Sequence, residues 1–103
     1  MSAIILTEKY VIKEVVRRGN SANVRFLEKE IGNCYSLIPL SEHKRVDIKK
    51  IGDKYKINVY NIDNVFTDRV KPIKSGKKVT GGYIGLNSTY VGINVLIIPY
   101  GIK

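Results

Sequence analysis

The chain is short of most residues on which catalytic and metal chemistry depends. Cys34 is its only cysteine, which excludes an intrachain disulfide and a cysteine-ligated zinc. Set between apolar strand positions, it reads as a small packing residue rather than a nucleophile. His43 is the only histidine and sits among Ser41, Glu42, Lys44 and Arg45, a setting that predicts neither a metal ligand nor a catalytic base. Acids are scarce and scattered. Asp63 with Asp68 is the only acidic pair of the second half, so no paired-carboxylate or metal cluster is expected. The glycines do not lie between a strand and a true helix, which removes the phosphate-loop and dinucleotide fingerprints. No cofactor and no enzymatic activity are expected.

Long apolar runs are missing too. None approaches the roughly 18 residues needed to span a bilayer. The N-terminal MSAIILTEKY has neither a basic segment ahead of its apolar stretch nor a cleavage site, so it predicts a strand rather than a signal peptide, with the cytoplasm as the default location. Amphipathic helices of ordinary length are absent, which argues against a helix-turn-helix or a bundle. The composition, 44% apolar and 26% charged over 103 residues, is that of one globular domain.

What the chain does have is a repeat. Ile31 to Leu40 reads IGNCYSLIPL and Val91 to Tyr100 reads VGINVLIIPY, in register and without a gap. Upstream, Val24 and Phe26 correspond to Ile84 and Leu86. Gly19-Asn20-Ser21 stands where Ser75 to Gly82 predicts a longer, glycine-rich turn. The reading is a single domain, 1–103, with repeat 1 at about 8–40 and repeat 2 at about 65–100. Each unit is too small to bury its own apolar face, so the two are expected to form one pseudo-symmetric domain.

Periodicity is that of strands. Tyr10 to Arg17, Asn23 to Phe26 and Cys34 to Ile38 predict three strands in the first unit, the last ended by Pro39; Leu27 to Glu30 is one helical turn stopped by Gly32. The second unit repeats the plan with Val65 to Val70, a basic loop, Tyr83 to Leu86, a short turn that Asn87 can cap, and Asn94 to Ile98 before Pro99. Ser41 to Arg45 reads as a connector. Val46 to Ile51 and Lys54 to Tyr60 flank Gly52-Asp53 and predict a β-hairpin, at about 46–60, inserted between the repeats. Gly19, Gly76, Gly81 and Gly82 are read as tight turns and bulges. The tyrosines, at strand positions, are read as half-buried core rather than a stacking platform.

Charge is the second strong feature. Eighteen Lys and Arg against nine Asp and Glu give +9 and a pI near 9.7, an imbalance that attracts phosphate polymers. Val15 to Leu27 holds Arg17, Arg18 and Arg25 without an acid; Arg69 to Lys78 holds Arg69, Lys71, Lys74, Lys77 and Lys78, again without one. Both stretches surround the first turn of their unit. The candidate nucleic-acid-binding residues are Arg17, Arg18, Asn20 and Arg25 from one unit and Lys71, Lys74, Lys77 and Lys78 from the other. Arginine forks and the Asn20 amide can bond base edges bidentately, which lysine cannot. With roughly six phosphates neutralised, affinity should fall by about three orders of magnitude from low to moderate salt.

The run VVRRGNSANVRFLEKEIG, followed by an alternating strand, resembles the swapped-hairpin barrel units of AbrB and MazE type regulators. The likeness is greatest to a small archaeal, transposon-associated subfamily. Gly19-Asn20-Ser21, Val24, Phe26, Ile31 and Gly32 carry it in the first unit, and Ile84, Leu86, Tyr90, Val91 and Gly92 in the second. The chain departs from the pattern where Leu27 and Asn87 replace a proline and where Asn33 and Ile93 replace a lysine. The resemblance implies a small, mostly β barrel of two AbrB-like units, formed in that family by two interlocking chains; a tandem chain can form the equivalent barrel alone or by exchange with a second chain. It also implies a DNA-contacting face of basic strand and loop residues.

Three functions follow as expectations. One is a duplex-DNA-binding transcriptional regulator or mobile-element or viral accessory protein. The others are a protein-binding, antitoxin-like or assembly module, with a homodimer or partner added at the central hairpin, and an RNA-binding small β-barrel.

Overall fold

Three two-residue turns reverse the chain, and each is led by a glycine. Gly19-Asn20, Gly52-Asp53 and Gly76-Lys77 have glycine φ values of 60°, 62° and 66°. A glycine at the first central position gives the primed turn geometry that matches the right-handed twist of the strands it joins. In this computed structural model, which describes residues 2–40, 46–62 and 64–101, those turns connect an almost entirely β chain. The strands are β1 (Ala3–Thr7), β2 (Val11–Glu14), β3 (Val16–Arg18), β4 (Ser21–Phe26), β5 (Cys34–Leu40), β6 (Val46–Ile51), β7 (Lys54–Val59), β8 (Phe66–Arg69), β9 (Lys71–Ser75), β10 (Lys78–Leu86) and β11 (Asn94–Gly101). Single 3₁₀ turns occupy Glu28–Glu30 and Ser88–Tyr90. His43, Asp63 and the connector read at Ser41 to Arg45 lie outside the described residues.

The strands form antiparallel sheets in the orders β3-β4-β10-β9, β2-β11-β5-β8 and β1-β7-β6. The edges of the first two are the same segments of chain, because β2 runs into β3 and β8 into β9. Those two sheets therefore close into one small barrel. The corner residues are Val15 and Val70. Val15 N–H donates to the Ile93 carbonyl and its carbonyl accepts from Gly92, both at 2.9 Å; Val70 makes the same pair with Asn33 and Gly32, at 2.9 and 3.0 Å. Both valines are buried.

The two units interleave about a pseudo-two-fold axis. On one sheet Val24 lies opposite Ile84, and on the other Leu37 lies opposite Ile97. Each of these is the equivalent of its own partner, sixty positions along. The axis thus runs through four fully buried aliphatic side chains. Around it, sizes complement: Phe26 faces Gly82, while its equivalent Leu86 faces Ala22. Four of the five barrel ladders in which each unit takes part are made with the other unit, so neither is a closed structure alone.

β5 and β11 are buried on both faces, which explains their near-continuous apolar sequences. Tyr35, Leu37, Val95 and Ile97 point into the barrel; Ile38, Leu96 and Ile98 point out of it, into a second core with Ile57 and Val59. The inserted hairpin β6–β7, joined by β1, is the layer that covers this outer face. Replacing Leu37 or Ile97 by alanine should each cost about 2–5 kcal/mol, a typical loss for an aliphatic side chain in a close-packed core. Denaturant unfolding of the two variants, with similar losses in both, would check the symmetry of the packing.

Two expectations from sequence are corrected here. Pro39 and Pro99 do not end their strands, which run on to Leu40 and Gly101. Pro39 lies two residues past Leu37, the last β5 residue opposite β8, and Pro99 two past Ile97, the last opposite β2. At both sites the missing N–H faces no neighbouring strand. The second correction concerns the basic loop of the second unit. Its residues are the strand β9 and the first part of β10, around a turn as tight as that of the first unit. The five extra residues lengthen the arm by two rungs and supply a bulge between Val79 and Gly81.

The 3₁₀ turns are capped by different means. The Leu27 amide donates to Glu30 Oε1 at 3.0 Å, whereas Asn87 Oδ1 accepts from the Thr89 amide at 3.0 Å, as its sequence position predicts. Glu30 also accepts from the Tyr35 hydroxyl at 2.9 Å, and the Tyr35 ring stacks on Phe26 with centroids 5.1 Å apart. Burial pushes the Tyr35 pKa above the ordinary 10; the hydrogen bond to Glu30 and its charge add to the rise, and the Asn33 amide opposes it. The unfolded chain therefore ionises first. Tyr35 contributes stability below pH 10 that is lost as pH climbs past it. Tyr35→Phe should flatten the alkaline limb of the stability profile, measured as unfolding free energy between about pH 9 and 11.

Candidate nucleic-acid interface

Cations are unevenly divided among the sheets. β3-β4-β10-β9 carries Arg17, Arg18, Arg25, Lys71, Lys74 and Lys78, with Lys77 at one tip, and none of its strand residues is Asp or Glu. Sheet β2-β11-β5-β8 balances Lys13 and Arg69 against Glu14 and Asp68. The first sheet is also the one whose outer face the hairpin layer leaves uncovered. Its strand charges are therefore of one sign and open to a polyanion.

The ladder register shows how the outer face is laid out. Arg25, Tyr83 and Lys71 lie in one row across β4, β10 and β9, with the tyrosine directly opposite each cation. The next row holds Val16, Asn23 and Gly85. Gly85 leaves a gap in the face beside the buried Asn23, whose Oδ1 accepts from Arg25 Nε at 3.3 Å. A shallow depression beside these rows is lined by Arg18, Ser21, Asn23, Ile73, Lys74 and Tyr83. It brings together one cation from each unit. Lys71 is 3.6 Å from Asp68, an exposed pair that the i, i+3 spacing across the β8–β9 corner allows.

The remaining candidates do not converge on that depression. Arg17 lies opposite Ala22 and so alternates to the other side of its strand, exposed at the barrel end. Asn20 and Lys77 occupy the two hairpin tips. Because β4 and β10 are antiparallel and each begins just after its tip, the tips stand at opposite ends of the sheet, roughly 30 Å apart at about 3.3 Å per residue. Lys78, opposite Ser75, flanks the second tip. Asn23 and Tyr83, absent from the sequence-level set, are the central polar and aromatic groups of this face.

Matches to known proteins offer no independent guide. No family model, curated protein or solved structure matches the chain. Among the described residues no group of three His, Cys, Asp or Glu side chains could hold a metal, and no helix is long and apolar enough to cross a membrane. Lys13, a cation outside the candidate set, donates from Nζ to the Arg25 carbonyl and sits 4.7 Å over the Phe26 ring. It ties β2 to β4 and takes no part in the outer face.

Proposed function

We propose that the chain binds nucleic acid, duplex DNA by preference, across the outer face and tips of sheet β3-β4-β10-β9, in the service of transcriptional control or of a mobile or viral genome. The observation that carries this reading is the absence of any acid from a four-stranded sheet that bears six cations and a seventh at its tip. Phosphate contacts from such a surface release counterions and fix the protein on the duplex. The tip-to-tip span of roughly 30 Å is close to one turn of B-form DNA, about 34 Å. Fluorescence anisotropy with labelled duplex DNA, single-stranded DNA and RNA over a range of salt tests the reading. Duplex preference with a steep salt slope is expected; equal affinity for single strands would shift the function to stacking on Tyr83, and preference for RNA would shift the partner.

One feature favours a second reading, strand addition by a protein partner. β1 is an edge strand without a charge, and Ile4 and Leu6 on it are 68% and 66% exposed. Such an edge is a template for pairing. Failure of every nucleic acid to bind at low salt would make this edge the site to pursue.

A further inference from the structure

The two arms of the acid-free sheet are related by the pseudo-two-fold axis, yet their chemistry is not. Aligned on their tight turns, Arg17-Arg18-Gly19-Asn20-Ser21 corresponds to Lys74-Ser75-Gly76-Lys77-Lys78. Aligned on the paired strands, Arg25 corresponds to Gly85. Every arginine of this sheet is on the β3–β4 arm, and every lysine is on the β9–β10 arm.

The difference decides what each arm can do. A guanidinium fork or a carboxamide can bond two acceptor or donor groups on one base edge, arginine to guanine and asparagine to adenine in the major groove; an ammonium is a point charge that serves a phosphate of any sequence. The arginine arm is also the more rigidly prepared. Ser21 Oγ donates to the Arg18 carbonyl at 2.9 Å across the tip, and Asn23 holds Arg25 by its Nε, leaving the two terminal nitrogens of that fork to face outward. The lysine arm is longer by two rungs, about 7 Å, and kinked by its bulge, which suits reach rather than registration.

Resting on the nucleic-acid reading above, we propose that the chain recognises a one-sided duplex site. The β3–β4 arm reads bases over one half, and the β9–β10 arm grips backbone over the other without reading it. A pseudo-symmetric protein would then bind in a single orientation, on a site that is not a palindrome. At 3.4 Å per base pair, the roughly 30 Å span places the two halves about nine base pairs apart.

Selection from a random duplex library, followed by footprinting of the winners, tests this directly. The expected result is sequence constraint confined to one half of the protected stretch. Arg17→Lys with Arg18→Lys and Asn20→Ala keeps the charge; it should reduce discrimination between the selected and a scrambled duplex by about 10- to 100-fold while leaving the salt slope nearly unchanged. Lys74→Gln with Lys77→Gln and Lys78→Gln should instead weaken binding to both duplexes equally and make the slope shallower by about three. Two inverted constrained half-sites, or duplex binding with no sequence constraint, would overturn the one-sided site and leave duplex binding standing. Absence of duplex binding would overturn both.

Discussion

Neutralising Arg18, Arg25 and Lys74 together, each to glutamine, should lower duplex affinity about 500-fold near 0.1 M salt and make the salt slope shallower by about three. Arg18 on β3 and Lys74 on β9 line one depression, and Arg25 on β4 lies in the row beside it, so their effects should report a single surface. The matched control removes three cations from the hairpin layer, Lys49, Lys50 and Lys54, which are exposed on β6 and β7. Net charge falls equally in both proteins. If long-range attraction to a basic chain were all that mattered, both would lose affinity alike, and the acid-free sheet would have no special role. A loss confined to the first variant would assign the contact to that sheet. Lys71 is better left intact, since its removal would also leave Asp68 without the cation beside it.

Gly82→Ala should destabilise the fold by about 1–3 kcal/mol, a large effect for one methyl group. A Cβ built there would stand 2.5 Å from Val70 Cγ1, 3.3 Å from Ile31 Cγ1 and 3.4 Å from the Lys71 carbonyl oxygen. Val70 cannot retreat easily, because it is the buried corner at which β8 turns into β9, held by both of its backbone groups. Its pseudo-equivalent across the axis makes the contrast. Ala22 already carries a Cβ in the corresponding place, opposite Leu86 rather than Phe26. Thermal or denaturant unfolding of Gly82→Ala, Val70→Ala and the double variant forms a cycle in which the alanine at 70 should recover more than about 1 kcal/mol of the damage. Strict additivity would mean that the close approach of Gly82 to the corner is not what limits the site.

The inserted hairpin was legible in the sequence because both cues agree there, alternation in Tyr55, Ile57 and Val59 and a Gly-Asp turn between the strands. The repeat was legible for a different reason, since β5 and β11 do the same task in both units and keep the same apolar positions. The extent of those strands was not, as Pro39 and Pro99 look like terminators until it is known that each turns its missing N–H to the side where no strand lies. Lys71 to Gly82, which is β9 and the first part of β10, reads as a loop in the sequence. Lysines and three glycines, Gly76, Gly81 and Gly82, weaken every local strand signal, and only pairing in the tertiary structure overrides them. On the candidate face, charge pointed to the basic residues, whereas Asn23 and Tyr83 carry no such mark. Their place could have been found from register: both alternate outward from the axial pair Val24 and Ile84, and they are equivalent to each other under the sixty-residue offset.

Interleaving within one chain changes how the barrel responds to dilution. A barrel made from two chains comes apart as concentration falls, and its melting temperature falls with it. Here the partners in β4–β10 and β5–β11 are tethered, so the second unit is always present at the effective concentration that the intervening chain sets. The melting temperature should stay constant across protein concentrations. The cost falls on folding speed, because pairs such as Val24 with Ile84 and Leu37 with Ile97 must close loops of sixty residues before the first shared sheet exists.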